Sequence, residues 1–119
     1  MRDASVTLTW ADGDYTFRLG WGELETLQEA VDAGPWVVLE RLANRQCRVG
    51  DILNVIRLGL IGGGLTPVDA LKLVREYVEK RPPAENLLHA YSILSTALHG
   101  SPEEPVGEAD AADQKVENA

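Results

Sequence analysis

Residues 6–19 read Val-Thr-Leu-Thr-Trp-Ala-Asp-Gly-Asp-Tyr-Thr-Phe-Arg-Leu, with apolar and polar positions alternating on either side of Asp12-Gly13. Period-two alternation around a turn dipeptide predicts a β-hairpin, and Asp-Gly suits the positive φ angles of a two-residue turn. With Ala11 opposite Asp14, Trp10 pairs with Tyr15, Leu8 with Phe17 and Val6 with Leu19 on one face. Thr7, Thr9, Thr16 and Arg18 then occupy the other face. A lone hairpin is marginal in water, so its apolar face predicts a cover.

The rest of the chain changes period and supplies that cover as helices. Residues 23–33 place Leu24, Leu27 and Val31 at helical spacing before Gly34, which reads as a stop. Pro35 suits the first position of a second helix with Trp36, Leu39, Leu42 and Ala43 inward and Glu40, Arg41 and Arg45 outward. A third helix over 49–61 is apolar around most of its circumference, which predicts central burial or a face shared with a partner. Thr66, Pro67 and Asp69 predict the start of a fourth helix, with Ala70, Leu71, Val74, Tyr77 and Val78 as its inward stripe. Pro82-Pro83 separates it from a last helix carrying Leu87, Tyr91, Leu94 and Leu98 inward and ending at His99-Gly100. The expected fold is therefore α+β, a two-stranded hairpin packed on a bundle of about five helices.

After Ser101 there is almost nothing to bury. Glu103, Glu104, Glu108, Asp110, Asp113 and Glu117 face a single Lys115, a composition that predicts disorder. The expected organisation is one domain over 1–100 and a disordered acidic tail over 101–119. The formal charge is -8 with a pI near 4.6; the tail carries five of those negative charges. That balance argues against nucleic acid and anionic membranes as partners. No signal-peptide pattern opens the chain, and the apolar run around 52–61 is too short and too polar to span a bilayer. The expected location is the cytoplasm.

Candidate chemistry is sparse. Gly62-Gly63-Gly64 lacks the lysine, the preceding strand and the spacing of a phosphate loop; it reads as a structural hinge, a helix end whose glycines accept left-handed backbone angles. His89 and His99 have no carboxylate or cysteine at ligand spacing, so no metal is expected. His99 suits the negative end of a helix, and His89 reads as a solvent-side residue beside Glu85. Cys47, the single cysteine, precludes an intrachain disulfide and has no base at motif spacing, so it reads as solvent-side or half-buried filler. No catalytic residue and no cofactor is expected. Two features exceed what a plain fold needs. Arg41, Arg45 and Arg48 form a basic cluster in an acidic chain, read as a solvated face or as a dock for an acidic partner or the chain's own tail. Trp10, Trp21 and Trp36 read as core, with Trp21 and Trp36 as candidate partner contacts because Trp is enriched at interface hot spots.

The hairpin with Tyr15-x-Phe17, the helix with Leu24-x-x-Leu27-x-Glu29, and above all Val49-Gly-Asp-Ile-Leu-Asn-Val-Ile-Arg-Leu-Gly-Leu-Ile-Gly-Gly-Gly64 carry a resemblance. From about Val6 to Leu98 the chain resembles the gene-transfer-agent family of phage tail proteins, described both as tail assembly chaperones and as tail tube proteins. The matching positions are Tyr15, Phe17, Leu24, Leu27, Glu29, Asp51, Ile52, Ile56, Gly59, Leu60 and Gly62 to Gly64. Pro82-Pro83 and the acidic tail depart from the pattern. The resemblance implies a non-enzymatic protein that binds the tape measure protein while tail tube subunits assemble, with a homo-oligomer compatible. Competing readings are a structural subunit of the tube and a helical DNA-binding regulator using residues 66–80, the latter disfavoured by the mixed charges on that helix.

Overall fold

The computed structural model describes residues 4–100. Strands β1 (Ser5–Trp10) and β2 (Gly13–Arg18) form an antiparallel hairpin, followed by helices α1 (Trp21–Val31), α2 (Pro35–Ala43), α3 (Val49–Gly62), α4 (Pro67–Val74) and α5 (Leu87–His99). Helix α4 runs on into a π-helical turn, Arg75–Glu79, and a 3-10 turn, Pro83–Asn86, leads into α5. The expected α+β fold, a hairpin on five helices, is what forms. The expectation of a disordered acidic tail falls on 101–119 and lies outside the described residues.

The hairpin register differs from the expected one. Trp10 pairs with Gly13, Leu8 with Tyr15 and Val6 with Phe17, so Ala11 and Asp12 make the turn, with Ala11 in the left-handed region at φ 56°. Side chains select this register over the Asp-Gly turn. Thr9 donates to Asp14 at 2.7 Å, the hydroxyls of Thr7 and Thr16 meet at 3.0 Å, and the Tyr15 hydroxyl donates to Asp12. Gly13 opposite Trp10 also leaves the indole room to meet Tyr15 and Phe17 edge-on, at centroid distances of 5.8 and 5.7 Å. The displacement is two residues, an even number, so every side chain keeps its expected face.

The apolar face of the hairpin lies on α3 and α5. Phe17, Leu27, Val38, Val55, Ile56, Leu60, Val74 and Leu94 close the core. Trp10 is anchored there by its indole N–H, which donates to the Asn86 side-chain oxygen at 2.7 Å, while Asn86 Nδ2 donates to the Tyr77 carbonyl at 2.9 Å. Two helical stripes are rotated from the expected ones. In α2 the buried residues are Val38, Leu39 and Leu42, and Trp36 and Ala43 are exposed. In α4 Ala70 and Val74 are buried while Leu71 is exposed. Helix α1 starts at Trp21 rather than at 23, because Gly20 caps it and donates its N–H to Glu23 at 2.9 Å. Thr66 caps α4 as expected, accepting from the Asp69 N–H at 3.2 Å.

The glycines at the end of α3 do something other than accept left-handed angles. Only Gly64 has a positive φ, 121°; Gly62 and Gly63 do not. A Cβ on Gly62 would lie 1.8 Å from the Arg18 carbonyl oxygen, and one on Gly63 would lie 1.9 Å from that of Thr16. The end of α3 is thus pressed against the backbone of β2. In a hairpin closed by the pair Trp10–Gly13, the backbone groups of residues 14, 16 and 18 point away from β1. The Thr16 and Arg18 carbonyls facing α3 are the ones on that outer edge. Helix α3 therefore seals the edge of β2, a common way to protect a strand edge.

Candidate partner-binding surface

The N-terminal half of α3 is less enclosed than its C-terminal half. Asp51, at its third position, is fully buried and holds the preceding loop. Its Oδ2 accepts the Arg48 backbone N–H at 2.9 Å and Arg41 Nη1 at 3.2 Å. The Arg48 guanidinium in turn donates to the Val31 carbonyl at 3.0 Å. Two of the three arginines in the basic cluster are therefore tied to the loop between α2 and α3. Arg45, at φ 56°, and Arg48 are exposed, and Arg41 is half-buried.

Outside that loop runs a continuous apolar band. One groove, of about 390 Å³, lies between Val49, Ile52 and Leu53 of α3 and Val78 and Pro83 opposite. A second shares Val49, Ile52 and Pro83 with it and adds Arg45, Cys47 and Leu87. A third shares Arg45 and Leu87 with the second and continues along Ala43, Leu88 and Tyr91 between α2 and α5. Val49, in the first two grooves, is 69% exposed, and Leu88, in the third, is 72% exposed. Arg45 sits where the second and third grooves meet, the only cation common to them among the described residues. Glu79 and Arg81 border the first groove.

The tryptophans divide. Trp10 is core, as expected, but Trp21 and Trp36 are 82% and 59% exposed. The physical reason lies in their positions: both stand in the first turn of a helix, ahead of the stripe that packs inward. Trp36 meets the His99 ring edge-on at 5.2 Å, which ties the start of α2 to the end of α5. Trp21 makes no ring contact among the described residues, and nothing brings it together with Trp36. His89 is half-buried rather than solvent-facing, with its Nδ1 enclosed, and Glu85 pairs with Arg81 instead. Burial, and secondarily the Asp51 carboxylate, push the Cys47 thiol above its ordinary pKa, the opposite of an activated nucleophile. Gly62 and Gly63, expected as a hinge, lie at the far end of α3, in contact with β2.

Among the described residues no group of histidine, cysteine or acidic side chains could hold a metal ion, and no helix is long and apolar enough to cross a membrane. What the described residues present is the open apolar band. Residues 3–100 match the family described as phage tail tube protein, GTA-gp10. The chain belongs to this family. The match spans every strand and helix described above, so the hairpin, the glycine-sealed edge and the apolar band all lie within the family's domain. A family of tail proteins is structural rather than enzymatic, and its members work in contact with other tail proteins. No curated protein and no solved structure matches the chain.

Proposed function

We propose that the protein is a tail assembly chaperone that holds amphipathic helical segments of the tape measure protein until tube subunits replace it. The observation that carries this reading is the apolar band from Val49 to Tyr91, open along its length and lined by aliphatic side chains. An amphipathic helix lays its apolar face into such a groove with anchors spaced by one turn. Arg45 would meet an acidic residue on the polar side of that helix, with Trp36 and Trp21 as further contacts. Arg41 and Arg48 serve the surface indirectly, by fixing the loop that carries Arg45.

The family's description favours a second reading, a subunit of the tube itself. A tube wall built by sheet continuity needs two open strand edges per subunit, one to offer and one to receive. Here the only sheet among the described residues has two strands, and α3 seals one of its edges. The chaperone reading accommodates that geometry better.

Co-expression with a tape measure fragment tests the proposal. The wild-type chain should raise the fragment's solubility, and Val49→Lys or Leu88→Glu should remove the effect without lowering the thermal midpoint, since both positions are already exposed. No gain in solubility with the wild-type chain would sink the chaperone reading. Immunogold labelling of mature particles separates the alternative, because a tube subunit persists in the tail at full stoichiometry.

A further inference from the structure

The edge of β1 is the counterpart of the one that α3 covers. By the same ladder geometry, the backbone N–H and C=O groups of Thr7 and Thr9 point away from β2. Both residues are exposed, and no backbone hydrogen bond among the described residues reaches them from another element. Protected edge strands carry a lysine, a proline or a bulge. The stretch from Val6 to Trp10 carries none of these and no charge, and its residues are all β-formers or Leu.

Its pattern is self-complementary. Val6-Thr7-Leu8-Thr9-Trp10 has the same apolar and polar order in either direction about Leu8. Laid antiparallel on a second copy with Leu8 opposite Leu8, Val6 faces the second copy's Trp10 on the apolar side. Thr7 faces the second copy's Thr9 on the polar side, twice. Aliphatic–aromatic and Thr–Thr cross-strand pairs are favourable ones. The groups on Thr7 and Thr9 that point outward are those this register bonds. The same register covers Val6 and Leu8, which are only half-buried in a single chain.

We infer that β1 is a homodimer interface, in which two copies pair β1 to β1 across a twofold axis and join their hairpins into a four-stranded antiparallel sheet. A second copy fits this edge better than an unrelated strand because the complementarity is with the strand's own sequence. Such an isologous contact closes on itself and leaves no strand edge open for further growth. The band from Val49 to Tyr91 involves neither β1 nor β2, so each copy would keep its helix-binding surface. The dimer does not depend on what that surface binds.

Charge reversal across the register tests this. Wild type should show a concentration-dependent dimer by sedimentation velocity between micromolar and millimolar. Thr7→Lys/Thr9→Lys places lysines opposite each other in the dimer and should weaken it at least tenfold; Thr7→Glu/Thr9→Glu should do the same. Mixing the two variants should restore a heterodimer. Their circular dichroism at low concentration should match wild type, while their thermal midpoints should fall by a few degrees, because both variants give up the hydrogen bonds to Thr16 and Asp14; recovery of the dimer on mixing shows that the monomers keep the hairpin. Amide exchange on wild type gives an independent reading, in which the Thr7 and Thr9 N–H groups gain protection as concentration rises. A wild-type chain that stays monomeric at millimolar concentration overturns the inference. So does a lysine variant that dimerises like wild type, or a mixture that forms no heterodimer.

Discussion

Replacing Gly62 by alanine should destabilise the protein, although alanine in an ordinary helix stabilises it. The new Cβ would lie 1.8 Å from the Arg18 carbonyl oxygen, with the Arg18 carbonyl carbon at 3.0 Å and Glu23 Cδ at 3.3 Å. A carbon normally keeps about 3.3 Å from a carbonyl oxygen, so α3 and β2 must separate by roughly 1.5 Å. Both sides of the clash are backbone and cannot yield by changing rotamer. Overpacking of this kind costs about 3 kcal/mol at the upper end of its usual range, and the helical preference for alanine returns about 1 kcal/mol. A net loss of about 2 kcal/mol lowers the thermal midpoint of a domain this size by about 8–16 °C. Differential scanning calorimetry of a glycine series measures it. Gly59→Ala meets only the Ile93 and Phe17 side chains, at 3.1 and 3.3 Å, and Gly22→Ala meets nothing within 4 Å. Stability should therefore fall in the order Gly22→Ala, Gly59→Ala, Gly62→Ala, with the first at or above wild type. A Gly62→Ala protein as stable as wild type would refute the close approach of α3 to β2, and with it the sealed edge.

Asp51→Ala should cost about 3 kcal/mol in chemical denaturation, because it leaves the Arg41 guanidinium and the Arg48 N–H without their acceptor. Asp51→Asn should cost less, since its carbonyl can still accept from Arg48; equal losses would mean that the Arg48 hydrogen bond contributes nothing and the whole cost lies in the Arg41 pair. Trp10→Phe keeps most of the apolar volume but strands the Asn86 oxygen, and should cost about 2 kcal/mol, an effect that Trp10→Phe/Asn86→Leu should partly reverse. Cys47 titrates above its ordinary value in the folded chain, so the unfolded chain loses this proton first, near pH 8.5. Its contribution to stability is complete below that pH and lost as the pH rises through the folded value. At pH 8 iodoacetamide should alkylate the native protein more slowly than the urea-unfolded chain, and equal rates would contradict the burial.

Much of the fold was legible because local signals agreed. Period-two alternation marked the hairpin, Pro35 and Thr66-Pro67 marked two helix starts, and the apolar circumference of the third helix announced its central place. The register was not legible. Asp12-Gly13 is the stronger turn signal, and what overrides it is the set of side-chain pairs Thr9–Asp14 and Thr7–Thr16 together with the room Trp10 needs. The roles of Gly62 and Gly63 were also hidden, because a glycine's sequence context cannot distinguish a turn from a close contact with a strand 44 to 47 positions away. Arg41 and Arg48 looked like a basic patch because their side-chain partners lie on other helices, Asp51 on α3 for Arg41 and the Val31 carbonyl on α1 for Arg48. Trp36 was misplaced by treating the first turn of α2 as part of its buried stripe. The open band had one visible sign, the surplus of apolar residues on α3. Its other wall comes from residues 78–91 and needed the fold.

Helix α3 is where these findings meet, because its two halves serve different ends. The C-terminal half, with Val55, Ile56, Leu58, Gly59 and Leu60 buried and Gly62 against β2, belongs wholly to the core. The N-terminal half begins at Val49, 69% exposed, and passes Leu53, half-buried, beside the open groove. Asp51 lies on the side turned inward, bound to the Arg41 guanidinium and the Arg48 backbone N–H, so polar contacts add to the burial of Ile52 in holding this end. A helix so divided should separate stability from binding by position. Alanine substitutions from 55 to 62 should lower the unfolding free energy, and any change they cause in tape measure solubilisation should track the fraction folded. Polar substitutions at Val49, and at Leu88 across the band, should leave unfolding unchanged and affect solubilisation alone. If binding were lost only in step with stability at both ends of the helix, the band would be no more than an incompletely covered core, and the partner would have to dock elsewhere.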